Sequence, residues 1–334
     1  MAIPLLFIAV AAVTGGVGVG TSIKAGIDQK DAKDTNEKAK EIIEKATEKI
    51  NKYRKNCGEA LDGLGVCKIR ILDESVKPFI QEFEKLKHVE LKESTGLNEL
   101  QKLVLDKKSF EDLKDLQSMA TSMAGGVVTG AMAGAITAFG AYGAAGALAT
   151  ASTGTAISAL SGVAATNATL AFFGGGSLAA GGLGIAGGTA VLGGLVAGPA
   201  LAILGIVVGS KASANKEKAH SNLNEANAFK EEIDTASVVC IGIRKRSNMF
   251  RRFLLSLNSV FEPLVHEMSE IIKKRGTDYM LFSNDEKKVV MEAMALAGAM
   301  KAVLDTPILD SEGNMTSESE SIIGLTRKKL EKVF

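Results

Sequence analysis

Apolar residues recur at spacings of three and four over most of the charged part of the chain. In residues 28–53, Ala39, Ile42, Ile43, Ala46, Ile50 and Tyr53 fall on one face between many Lys and Glu, the pattern of an amphipathic helix. Gly58, Gly63 and Gly65 are expected to interrupt it. A second helix is expected over residues 66–89, with Ile71, Val76, Phe79, Phe83 and Leu86 on one face and a kink or restart at Pro78. Ser109 is the expected N-cap of a helix that begins at Phe110, with Asp112 in its first turn. Beyond residue 210 the spacing predicts one helix to about Lys230 and a longer one over residues 241–274, where Phe250, Phe253, Leu257, Phe261, Leu264, Met268 and Ile271 share a face. Lys273, Lys274 and Arg275 before Gly276 mark its end. Ser283 and Glu286 form a capping box for a helix to about Leu304, and Thr316 or Ser317 caps a last one. No charged stretch alternates with period two.

Between these segments the pattern changes. Residues 116–210 form a run of 95 residues without charge or histidine, and residues 1–23 form a second. The long run divides into three helical pieces, about residues 122–148, 155–173 and 183–208. It holds 22 of the 36 glycines. Gly126, Gly130 and Gly134 are four apart, as are Gly184 and Gly188, Gly194 and Gly198, and Gly205 and Gly209. A helix-interior glycine costs about 1 kcal/mol in water, whereas small residues four apart let helices pack closely in a bilayer. The expected fold is therefore all-α. Long amphipathic helices in a coiled-coil-like bundle flank a central glycine-rich apolar hairpin in a membrane. The expected organisation is an apolar N-terminal segment (1–23, a membrane anchor or a buried helix), a charged helical region (24–115), the glycine-zipper region (116–210) and a second charged helical region (211–334).

Composition sharpens this. The net charge of +1 hides all 39 basic and 38 acidic residues outside the two uncharged runs, so the balanced charges serve solubility and helix pairing rather than attraction to a polyanion. No Trp and 3 Tyr argue against aromatic-lined pockets and base-stacking surfaces. Cys57, Cys67 and Cys240 are too few and too widely spaced for a disulfide framework. His88, His220 and His266 lack metal-ligand spacing. Neither a phosphate loop nor a nucleophile elbow occurs. The expectation is no enzyme, no cofactor, no metal and no nucleic-acid partner.

One basic cluster stands out: Arg244, Lys245, Arg246, Arg251 and Arg252, interleaved with Met249, Phe250 and Phe253. It reads either as a contact for anionic lipid headgroups or as a solvated face pairing with acidic neighbours. The stretch TASTGTAISALSG to GTAVLGGLVAG (150–198) resembles a recurrent glycine-rich segment of bacterial proteins, a likeness that extends to GTDYMLFSNDEKKVV and VLDTPILD. It implies no activity. The layout is also similar to cytolysin-A-type α-helical pore-forming toxins and to apolipoprotein L, without shared residue motifs. The function expected from all this is membrane-active. The hairpin inserts into a lipid bilayer and homo-oligomerises, with a permeabilising pore as one outcome, and a soluble form that converts to the membrane form is allowed. The alternative is a constitutive membrane-anchored coiled-coil scaffold or partner-binding protein with its charged helices as the interaction surface and its charged regions in the cytoplasm.

Overall fold

The computed structural model describes residues 25–89, 105–124, 139–141, 216–309 and 315–331. They form six helices, and the first is α1 (Ala25–Arg70). It passes through a π-helical turn (Ile71–Val76) into α2 (Lys77–Phe83). α3 (Lys107–Ala124), α4 (Lys216–Arg275), α5 (Asn284–Asp305) and α6 (Ser317–Leu330) follow. The chain divides into two compact units, Met1–Arg54 with Ala197–Cys240, and Lys55–Val196 with Ile241–Phe334. α1 and α4 contribute to both.

In the first unit, α1 buries Ala32, Ala39, Ala46 and Ile50, and α4 buries Ala219, Ala226, Phe229 and Ile233. Alanines seven apart leave room for a close helix pair with a heptad seam. Asn222 donates to Asn36 (2.9 Å) and Lys49 to Asp234 (2.9 Å). Both contacts join residues about 186 positions apart, so α1 and α4 run parallel here.

In the second unit the core centres on an aromatic cluster. Phe79 sits 5.5 Å from Phe261 and 6.4 Å from Phe110, and Phe83 sits 5.3 Å from Phe110. Phe79 and Phe261 are fully buried. α5 contributes Val290, Met291, Met294, Leu296, Met300 and Leu304 to the same core. Loops close it at one end. The Lys87 amide donates to Thr277 O (2.8 Å) and the Tyr279 amide to Lys87 O (3.1 Å). Gly276, at φ +85°, supplies the left-handed residue that ends α4 after Lys273, Lys274 and Arg275.

Several local expectations meet a different outcome. The glycines at 58, 63 and 65 do not interrupt α1. Leu61 and Leu64 beside them are fully buried, and that burial outweighs a glycine penalty of about 1 kcal/mol each. At Pro78 the expectation of a restart is met: α2 begins at Lys77 with the proline in its first turn. The π-helical turn just before it widens the backbone where proline would clash with the carbonyl four residues back. The cap of α3 is Asp106, whose Oδ1 accepts from the Ser109 amide at 2.6 Å. The two helices expected after residue 210 are one helix of 60 residues.

The helix starts read from sequence are present elsewhere. Ser283 caps α5 in a full capping box. Its Oγ accepts from the Glu286 amide (3.3 Å), and Glu286 Oε2 accepts from the Ser283 amide (2.8 Å). Thr316 caps α6. Ser283→Ala is expected to lower stability by about 1 kcal/mol, measurable as a shift in the urea midpoint at unchanged slope.

The membrane hairpin is corrected. Among the described residues, no helix is long and apolar enough to cross a membrane. The described parts of the uncharged run, residues 116–124 and 139–141, serve as protein core instead: Leu116, Ala120 and Ala141 are fully buried, and Met119 and Phe139 nearly so. Apolar character there is spent on intramolecular packing. The pore-forming function, the lipid-bilayer partner, the homo-oligomer and the membrane localisation all depended on that hairpin and fall with it. Gly126, Gly130, Gly134, Gly184, Gly188, Gly194, Gly198, Gly205 and Gly209 lie outside the described residues, as do residues 1–23. The charged faces of the long helices, taken along their whole length, are not the partner surface expected of them. Many of their charges pair one turn apart within the same helix, as in Lys45–Glu41, Lys40–Glu44, Lys230–Asp234 and Lys288–Glu292.

Candidate functional site

The basic cluster on α4 divides by helical phase. Residues 244, 245, 248, 249, 252, 253, 256, 257 and 260 follow a four-residue stagger, which keeps them on one side of a helix with 3.6 residues per turn. They line a groove of about 850 Å³, closed on its other sides by Leu296 of α5 and by Ile323, Arg327, Leu330 and Glu331 at and just after α6. All of these residues belong to the second unit. Phe253, Leu257, Leu296 and Ile323 form a floor that is at least nine-tenths buried. Met249 and Val260 extend it outward and are 39% and 48% exposed.

Polar groups rim the floor. Arg244, Lys245, Asn248, Arg252 and Ser256 lie along α4, and Arg327 lies opposite with its guanidinium 5.9 Å from the centre of the Phe253 ring. That contact is a cation–π pair. Among the described residues, Arg244, Lys245 and Arg252 have no ion-pair partner. Glu331 is the one carboxylate among the groove's lining residues. An apolar floor flanked by unneutralised cations is a surface for a partner that is apolar on one face and acidic beside it.

The two other arginines of the cluster turn away. Arg246 donates to Ser319 Oγ at the start of α6 (3.3 Å). Arg251 lies against Gly63, where a Cβ would stand 3.2 Å from its Nη1. It also lies near the Cys67 thiol, which burial pushes up and Arg251 partly holds down. The sequence cluster of five is therefore three groove residues and two structural ones.

A second constellation was not visible as a cluster in the sequence. Lys68 is fully buried. Its Nζ donates to the backbone carbonyls of Phe139 and Leu304, each at 3.3 Å, and stands 5.3 Å from the centre of the Phe139 ring. Leu304 lies in the last turn of α5, where carbonyls lack helical partners. Burial pushes the Lys68 pKa down to about 7, opposed by the nearby Asp305 and Cys67. Asp305 is itself pushed up by burial, although Lys301 donates to its Oδ2. Lys301 also lies 3.7 Å from Asp112. The signal was present as register. Lys68 falls four residues after Leu64 and seven after Leu61, on the buried face of α1, and Lys301 falls four after Ala297 and seven after Met294 on α5.

This ionic cluster locks residues 139–141 in place. Ala141 O accepts from the Ile308 and Leu309 amides (2.7 and 3.1 Å). Gly140 lies so close to α1 that an added Cβ would stand 2.2 Å from Leu61 O. Lys68 has no exposed surface and is not among the groove's lining residues. Its role is in holding the unit together. No group of His, Cys, Asp and Glu suited to a metal occurs among the described residues. No family model matches the chain, and neither a curated protein nor a solved structure does.

Proposed function

We propose that this chain is a non-enzymatic helical scaffold that binds a protein partner in the groove between α4, α5 and α6. The observation that carries this reading is the juxtaposition of exposed Met249 and Val260 on an apolar floor with Arg244, Lys245 and Arg252, cations that have no ion-pair partner among the described residues. Exposed apolar side chains and unspent cations on one face add nothing to folding, and a complementary partner would bury the first and neutralise the second. The non-enzymatic part of the reading rests on the sequence, which offers no arrangement of nucleophile, base or phosphate-binding loop. The rest of the second unit serves as the frame of the groove, with the π-turn, the aromatic cluster and the Lys68 clamp fixing its parts of α4 and α5.

A photo-crosslinking residue placed at Val260 of the full chain tests the site. Val239, on α4 but in the other unit and 42% exposed, is the control. The expected result is one discrete adduct from position 260, absent from 239 and lost with Arg252→Glu. Equal labelling from both positions, or an adduct at 260 that Arg252→Glu leaves intact, would overturn the reading.

A further inference from the structure

We infer that the occupant of this groove is an acidic amphipathic helix of about 16 residues on a different protein. The inference rests on the groove being a partner site and adds the chemistry of the partner. Three observations lead to it.

The first is the lining itself. The groove is formed by the sides of helices and by Glu331 just beyond α6, and the backbone groups of helix interiors are already spent on one another. An extended peptide laid there would find few acceptors for its own amides, chiefly Asn248, Ser256 and Glu331. A helix satisfies its backbone internally and needs only a matching side-chain surface, the helix-in-groove mode of recognition.

The second is length. The stripe on α4 runs from residue 244 to residue 260. At 1.5 Å per residue that is about 24 Å, the length of a helix of about 16 residues.

The third is charge. Lys245 and Arg252 stand seven residues apart on α4, about two turns, and Arg327 faces them across the floor. Acidic residues two turns apart on one edge of the partner would meet Lys245 and Arg252. A further one on the opposite edge would meet Arg327, with Leu- or Ile-like side chains between them covering Met249, Phe253 and Val260. A nucleic acid would satisfy the cations but leave the apolar floor uncovered, so the floor favours a peptide.

The test uses the full chain and three fluorescent 16-residue peptides in an anisotropy titration. One carries a leucine stripe with flanking Glu, one the same stripe with flanking Lys, and one has the composition of the first scrambled to destroy the stripe. The expected result is that the acidic striped peptide binds at least tenfold more tightly than the other two. Arg252→Glu should weaken that binding at least tenfold, and Lys245→Glu should also weaken it. Both residues are exposed, and circular dichroism checks that the variants remain folded. Equal binding of the scrambled peptide would identify a generic polyanion surface and overturn the inference, as would equal binding of the Lys peptide. Concentration-dependent self-association abolished by Val260→Asp would also overturn it by identifying a second copy as the occupant. If the acidic peptide fails while the Val260 crosslink still lands on a single partner, the groove remains the site and only the acidic-helix inference falls. If both fail, the proposed function falls as well.

Discussion

Gly140→Ala should destabilise the second unit by about 3 kcal/mol, near the upper end of ordinary overpacking costs. A Cβ at this position would stand 2.2 Å from the carbonyl oxygen of Leu61 and 3.1 Å from the amide nitrogen of Gly65. Both are backbone atoms of a helix whose Leu61 and Leu64 are fixed in the core. Neither can rotate away as a side chain could, so residues 139–141 must lift from α1. Lifting them stretches the two hydrogen bonds that Ala141 O accepts from the Ile308 and Leu309 amides. It also draws Phe139 away from Lys68. Gly58→Ala is the matched control. It lies in α1, and nothing stands within 4 Å of its added Cβ, so it should raise stability by up to about 1 kcal/mol through helix propensity. Urea denaturation of both variants checks the pair. A Gly140→Ala chain as stable as the parent would show that residues 139–141 do not dock on α1 as described.

The second large effect concerns Lys68 and pH. In the folded chain its pKa is near 7, pushed down by burial. In the unfolded chain it titrates at the ordinary lysine value near 10.5. Below pH 7 both states carry the proton and Lys68 contributes no pH dependence. Between 7 and 10.5 the unfolded chain binds more protons, so stability rises with pH by up to about 1.4 kcal/mol for each pH unit. Lys68→Met removes that contribution. The variant should therefore compare best with the parent near pH 6 and fall progressively behind as pH rises to 9. The titratable groups that face Lys68, Asp305 and Cys67, remain in both proteins. Unfolding free energies of parent and variant at pH 6, 7, 8 and 9 provide the check. A difference that does not change with pH would mean that Lys68 keeps its proton in the folded state.

Much of the framework was legible in the sequence for a physical reason: helix ends depend on a few neighbouring residues. The Ser283 and Glu286 capping box, the Thr316 cap and the Gly276 terminus each require only local chemistry, and each is present. Expectations failed where distant packing decided the outcome. Gly63 and Gly65 look like breakers until Arg251 and residues 139–141 are placed against them. Asp106 and Ser109 are both good caps, and only the backbone geometry selects Asp106.

The site was half legible for the same reason. The basic residues of α4 announced themselves as a run, but a run has no faces. Helical phase sends Arg244, Lys245 and Arg252 to the groove and Arg246 and Arg251 to structural contacts. Arg327, Leu296 and Ile323 come from other helices, and nothing in the order of the chain ties them to α4. The largest correction has the same origin. Small and apolar residues next to charged helices suggested a bilayer as their solvent, yet Leu116, Ala120, Phe139 and Ala141 use protein for that purpose.

Thiol protection reports whether the groove between α4, α5 and α6 takes an acidic helix. Val260→Cys places a thiol in the groove, and Leu255→Cys places one on the same helix outside the groove lining, at 50% exposure in the parent residue. The three native cysteines are buried and react slowly. The acidic striped peptide should slow alkylation at position 260 at least tenfold and leave position 255 unchanged. Equal protection at both positions, or at neither, would contradict that reading.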